Sequence, residues 1–111
     1  MTDEVAQPAK SSKFTPVTLE EPINRGENQV ATITLRKPQA GELRGLTIED
    51  IVGTDVNALI KLIPRISDPS LTEEEVAALD VIDIAQCAGA VRGFFMTKEQ
   101  QARLTKMIED L

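Results

Sequence analysis

The stretch from Leu71 to Phe95, LTEEEVAALDVIDIAQCAGAVRGFF, constrains the fold most, because it sets a carboxylate where a helix wants its apolar face. If one helix ran unbroken to Phe94, Val76, Leu79, Cys87, Ala90 and Phe94 would form its stripe, with Asp83 at the centre. A lone carboxylate buried there costs several kcal/mol or becomes protonated. Breaking the helix at Asp80 is cheaper. Asp80 then becomes an N-cap, and Asp83 takes the third helical position beside unpaired backbone donors, where negative charge is favourable. The new helix would bury Ile84, Cys87, Ala88, Val91 and Phe95. On that reading both acids are structural caps. Just upstream, Thr72 and Glu75 have the spacing of a capping box.

Earlier in the chain the apolar period is that of strands. Val17 and Leu19 alternate with Thr18 and Glu20; Ala31, Ile33 and Leu35 alternate with Thr32, Thr34 and Arg36. NRGEN lies between them, with Gly26 able to take positive φ, so a β-hairpin over about 14–36 is expected. Pro38, unable to donate to a ladder, ends it. Helical signals follow over about 39–95: a turn at Ala40–Leu46, a Thr47 cap, and the stripe Val56, Leu59, Ile60, Ile63 behind Thr54 or Asp55. Pro64 is expected to end or kink that helix, and Asp68-Pro69 to make a turn. Residues 1–13 lack periodicity and read as a disordered arm. In 97–111, Thr97 and Gln100 form another capping box before Leu104, Met107, Ile108 and Leu111, an amphipathic helix at the chain end. The expectation is one small α+β domain over 14–96, a hairpin followed by four or five short helices.

Charge and composition narrow the function. Residues 1–13 and 97–111 are each charge-balanced, so the net −6 resides in 14–96. An acidic body repels phosphate backbones and anionic membranes, which argues against both as partners. No apolar run reaches the roughly 20 residues of a membrane span. Without His, Tyr or Trp, acid–base catalysis is left to carboxylates, lysines and Cys87, and Cys87 among alanines reads as a buried structural thiol. Glu73, Glu74 and Glu75 sit where a helix start favours acids anyway. Asp80 and Asp83 are too few for a metal site. No catalytic, cofactor or metal residue is expected. Arg36 and Arg44, which flank Pro38, and Arg65 are expected to pair with carboxylates and join hairpin to helices. Exposed hairpin edges predict self-association. Partner contacts are expected on Leu104, Met107, Ile108 and Leu111, where an adaptable Met sits in a narrow stripe.

LRKPQAGELRGL (Leu35–Leu46, with Arg36, Pro38, Gly41 and Arg44), LIKLIPRIS (Leu59–Ser67, with Arg65) and LTEEEVAALDVID (Leu71–Asp83, with Asp80 and Asp83) together resemble the small tail assembly chaperones of contractile-tailed phages, the Mu-like and E-type group. The resemblance runs from about Val17 to Phe95 and includes a hairpin turn with Pro22, Ile23 and Gly26. Relatives often carry Pro after the aspartate matching Asp80, where this chain has Val81. The resemblance implies a non-enzymatic assembly factor of the host cytoplasm, absent from the mature virion. It implies binding to the tape measure protein, and help to tail tube protein as it polymerises. Other classes compatible with the sequence are a structural tail subunit or adaptor retained in the virion, and an acidic inhibitor or antitoxin-like protein.

Overall fold

In the computed structural model, which describes residues 13–109 (the side chains of Gln101, Thr105 and Ile108 excepted), the expected hairpin is β1 (Phe14–Arg25) and β2 (Asn28–Arg36). The strands pair antiparallel, closed by Gly26 and Glu27, with Gly26 at φ +61°. The pairing is interrupted. Thr18 faces Thr32 and Ile23 faces Val30, so the four residues Leu19–Pro22 bulge out opposite Ala31. Pro22 in the bulge removes no ladder bond. The bulge also corrects the face expected for β2: Ile33 and Leu35 are buried, but Ala31 is exposed and Val30 turns toward the core.

A single 3-10 turn (Ala40–Leu43) leads to α1 (Ile48–Val52) and α2 (Val56–Ile66), capped by Thr47 and Asp55 respectively. Pro64 lies inside α2, which continues to Ile66; of the ending or kink expected at Pro64, the ending does not occur. The chain then adds β3 (Ser67–Asp68), a third strand with no periodicity to announce it, against Thr34 and Leu35 of β2. Next come α3 (Glu73–Ala77) with its Thr72–Glu75 capping box, α4 (Val81–Phe94) and α5 (Lys98–Glu109). Sheet order is β1-β2-β3, and the described residues make a single α+β domain. Val17, Leu19, Ile33 and Leu35 of the sheet share one core with Leu59, Leu62, Ile63 and Ile66 of α2 and Cys87, Val91 and Phe94 of α4. The arm expected over 1–13 lies outside the described residues except for Lys13.

The chain does break at Asp80, whose side chain accepts from the Ile82 amide at 3.0 Å. Yet the face that α4 buries is Asp83, Cys87, Val91 and Phe94, with Ile84, Ala88 and Phe95 only half-buried. The break and the buried aspartate, posed as alternatives, are both present.

α1 ends with its six-to-one and five-to-two hydrogen bonds, Asp55 N to Asp50 O at 2.8 Å and Thr54 N to Ile51 O at 3.0 Å. That closure needs a left-handed residue, and it falls on Thr54 at φ +58°, one place after Gly53. A β-branched residue is strained there. Thr54→Gly is expected to raise stability by about 0.5–1 kcal/mol, the relieved strain exceeding the added freedom of the unfolded chain. Thermal melts followed by circular dichroism test this. Unchanged stability would mean that the 2.6 Å bond from the Thr54 hydroxyl to Gly53 O offsets the strain.

Candidate partner-binding surface

Three polar ties hold the hairpin to the helices. At the turn end, Arg25 forks onto Glu75 of α3, with Nε to Oε2 and Nη2 to Oε1 both at 2.8 Å, and Nη2 reaches Ser70 O at 2.7 Å. At the open end, Arg36 forks onto Glu42, with Nη1 to Oε1 at 2.7 Å and Nη2 on Oε2. Arg36 Nη2 also donates to Arg65 O at 3.0 Å, and Arg65 Nη1 donates to Glu42 O at 2.6 Å and Arg44 O at 2.9 Å. Arg36, Arg44 and Arg65 thus meet at one join just past Pro38. Arg65 binds carbonyls there rather than a carboxylate, and Arg44 contributes its carbonyl. Gly41 lies in the 3-10 turn without positive φ, and a Cβ there would meet nothing within 4 Å, so neither backbone angle nor space demands glycine. In the middle, Asp83 accepts the Glu20 and Glu21 amides of the bulge at 2.7 and 3.1 Å.

The two fork glutamates are held far below the ordinary carboxylate value. Glu42 drops from 4.5 to about 2 through the Arg36 bonds and then the Gln39 amide, and Glu75 drops from 4.5 to about 2 through Arg25 and then the Thr72 amide. A carboxylate with a depressed folded pKa contributes stability above its unfolded value and loses it as pH falls. The melting temperature is therefore expected to fall between pH 4.5 and about 2, with the Glu42→Gln, Glu75→Gln double variant flatter across that window. A double variant as steep as wild type would place the acid sensitivity elsewhere.

Cys87 is fully buried, and burial, with Asp83 adding to it, pushes its thiol up to about 11. A thiol so held is neutral at pH 7 and unreactive. Among the described residues no group of three or more His, Cys, Asp or Glu converges as metal ligands would, and no helix is long and apolar enough to cross a membrane.

What the surface does offer is apolar. Leu104 and Met107 of α5 are exposed and line a groove with Ile48 and Val52 of α1, beside Arg92 and Arg103. The Ile108 side chain and Leu111 lie outside the described residues. A second groove runs between Thr54 and Val56 on one side and Val81, Ile84, Ala88 and Gly89 of α4 on the other, and Arg92 lines it too. Sequence periodicity isolates Leu104 and Met107, but not Ile48, Val52 or Arg92, which meet them only through the packing of α1, α4 and α5.

The described residues thus form a bulged hairpin stitched at three points to a set of short helices, with two apolar grooves at the surface. Residues 16–96 match the family described as "Phage tail assembly chaperone proteins, E, or 41 or 14", and the chain belongs to that family. It is similar to tail assembly protein E of Escherichia phage P2, 45% identical over 85 residues, covering 77% of this chain and 93% of the relative. It is likewise similar to tail assembly protein E′ of the same phage, 45% identical over 82 residues, covering 74% of this chain but only 58% of that relative. No solved structure matches.

Proposed function

We propose that this chain is a non-enzymatic chaperone that binds the tape measure protein in the host cytoplasm, assists assembly of tail tube protein around it, and leaves before the virion is complete. The observation that carries the reading is the exposed apolar face of α5, Leu104 and Met107, which lies beyond the family-matched residues 16–96 and faces a groove rather than the core. A tape measure protein that is long amphipathic helix needs its apolar stripe shielded before assembly, and such a face can supply the shield. Ile108 and Leu111 continue the stripe in sequence. Further copies of the chain are natural additional partners for the same face.

Co-expression tests this. With the full chain the tape measure protein should stay soluble, and deletion of residues 97–111 should abolish that while the remaining domain keeps its melt. Mass spectrometry of purified particles should find the chain absent. Finding it at fixed stoichiometry would establish the second reading, a subunit retained in the virion. A truncated chain that folds and still solubilises the tape measure protein would remove α5 from the contact surface.

A further inference from the structure

Eight large hydrophobic side chains are exposed among the described residues, and six of them line the two grooves that meet at Arg92: Ile48, Val52, Leu104 and Met107 on one side, Val56 and Val81 on the other. Scattered exposed hydrophobics are ordinary, but a contiguous set marks an interaction face. Charge is clustered there too. The chain carries 18 acids against 12 bases, yet the groove linings contain Arg92 and Arg103 and no carboxylate. Arg103 is ion-paired to Glu99, whereas the Arg92 guanidinium has no partner among the described residues.

Gly89 is an independent sign. It stands in the middle of α4, where glycine costs about 1 kcal/mol relative to alanine. A Cβ at Gly89 would meet nothing within 4 Å, so the fold itself gives no reason for glycine. Its place on the second groove does, because a missing side chain lets a visiting helix come close.

We propose that the two grooves form one docking surface for an amphipathic helix of a partner chain, with an apolar stripe flanked by carboxylates. The stripe lies on the aliphatic walls and over Gly89, while Arg92 and Arg103 pair with the flanking acids. A basic helix of the same shape is disfavoured by Arg92 and Arg103, the charges it would touch, while the acids of the body lie outside the groove linings and are screened by salt. The source of the helix, the tape measure protein, rests on the chaperone reading above; the chemistry of the groove does not.

The test uses the full chain and two fluorescent synthetic helices of about 20 residues, long enough to remain helical alone. They share one leucine stripe, flanked by Glu in one and Lys in the other. Anisotropy should give at least about tenfold tighter binding of the Glu-flanked helix, with the preference shrinking as salt is added. Gly89→Leu should weaken that binding about tenfold while leaving the melting temperature unchanged or raised, since leucine favours the helix. The Arg92→Glu, Arg103→Glu double variant should abolish or invert the preference. Equal affinity for both helices, binding of neither, or wild-type behaviour of both variants would overturn the proposal. So would ultracentrifugation showing a wild-type dimer that Gly89→Leu dissolves without changing peptide affinity, since the occupant would then be a second copy. If the Glu-flanked helix binds as described and the tape measure protein is not solubilised, the chaperone reading fails and the surface stands. The reverse pair of results removes the surface and leaves the chaperone reading.

Discussion

Asp83→Ala should destabilise this domain by about 3–5 kcal/mol, because it strands the two backbone donors that its buried carboxylate satisfies. The bulge at Leu19–Pro22 takes the Glu20 and Glu21 amides out of the β1–β2 ladder, and the fully buried Asp83 carboxylate accepts both, at 2.7 and 3.1 Å. Gln86, one turn on, steadies the arrangement by donating to Thr18 O at 3.2 Å and Asp83 Oδ1 at 3.4 Å. Alanine removes both acceptors and leaves a cavity. Asparagine keeps one acceptor but turns an amide NH₂ toward the second donor, so Asp83→Asn should lose less, about 1–3 kcal/mol. With no Trp or Tyr in the chain, urea unfolding followed by far-UV circular dichroism is the measurement. Hydrogen exchange at Glu20 and Glu21 should accelerate in parallel. An Asp83→Ala variant within about 1 kcal/mol of wild type would mean that water replaces the carboxylate at little cost.

That clamp also alters the expectation of exposed hairpin edges. Asp83 and Gln86 cover the outer edge of β1 around Thr18–Glu21, and β3 covers β2 at Thr34 and Leu35. Part of what strand pairing with another molecule would satisfy is satisfied within the chain. Self-association, if it occurs, has the apolar grooves as its better surface.

What was legible in the sequence was local. The caps Thr47, Asp55, Thr72 and Asp80 each bind an amide two or three residues on, and spacing alone reveals them. Val17, Leu19, Ile33 and Leu35 announce the sheet face because period-two alternation needs no knowledge of the partner. Asp83 escapes sequence reading for the opposite reason. Its position near a helix start suggested a cap, but its actual partners lie 63 and 62 residues away, in a bulge whose only signal is Pro22. The Arg25–Glu75 fork spans 50 residues and was invisible for the same reason. Arg36 and Glu42, six apart around a proline, lay within reach of sequence reasoning, though the Arg65 bonds to carbonyls did not. The grooves escape because their walls come from four different helices, and residues such as Val52 and Arg92 fit no stripe.

Ile66→Ala should cost about 2–5 kcal/mol, and Pro64→Ala should return about 1–2 kcal/mol. The pair explains why α2 passes its proline. Pro64 has no amide to give the Ile60 carbonyl, and its ring crowds that oxygen, which by itself favours ending the helix at Ile63. Ending there would expose Ile66, which is only 1% accessible in the fold. It would also release Ser67 from its pairing with Leu35, along with the Leu71 amide that Ser67 Oγ accepts at 3.2 Å. Burying an isoleucine is worth about 1.5–3 kcal/mol, and the strand pairing adds to it, so the extra turn persists despite the proline. Ile66→Ala removes that reward and should let the end of α2 fray. Pro64→Ala removes the opposing strain, less the unfolded-chain entropy that proline had limited. In the double variant the loss should be smaller than in Ile66→Ala alone. Urea denaturation of the three variants decides it. A Pro64→Ala chain no more stable than wild type would mean that the half-buried proline ring contributes as much by packing as it costs the backbone.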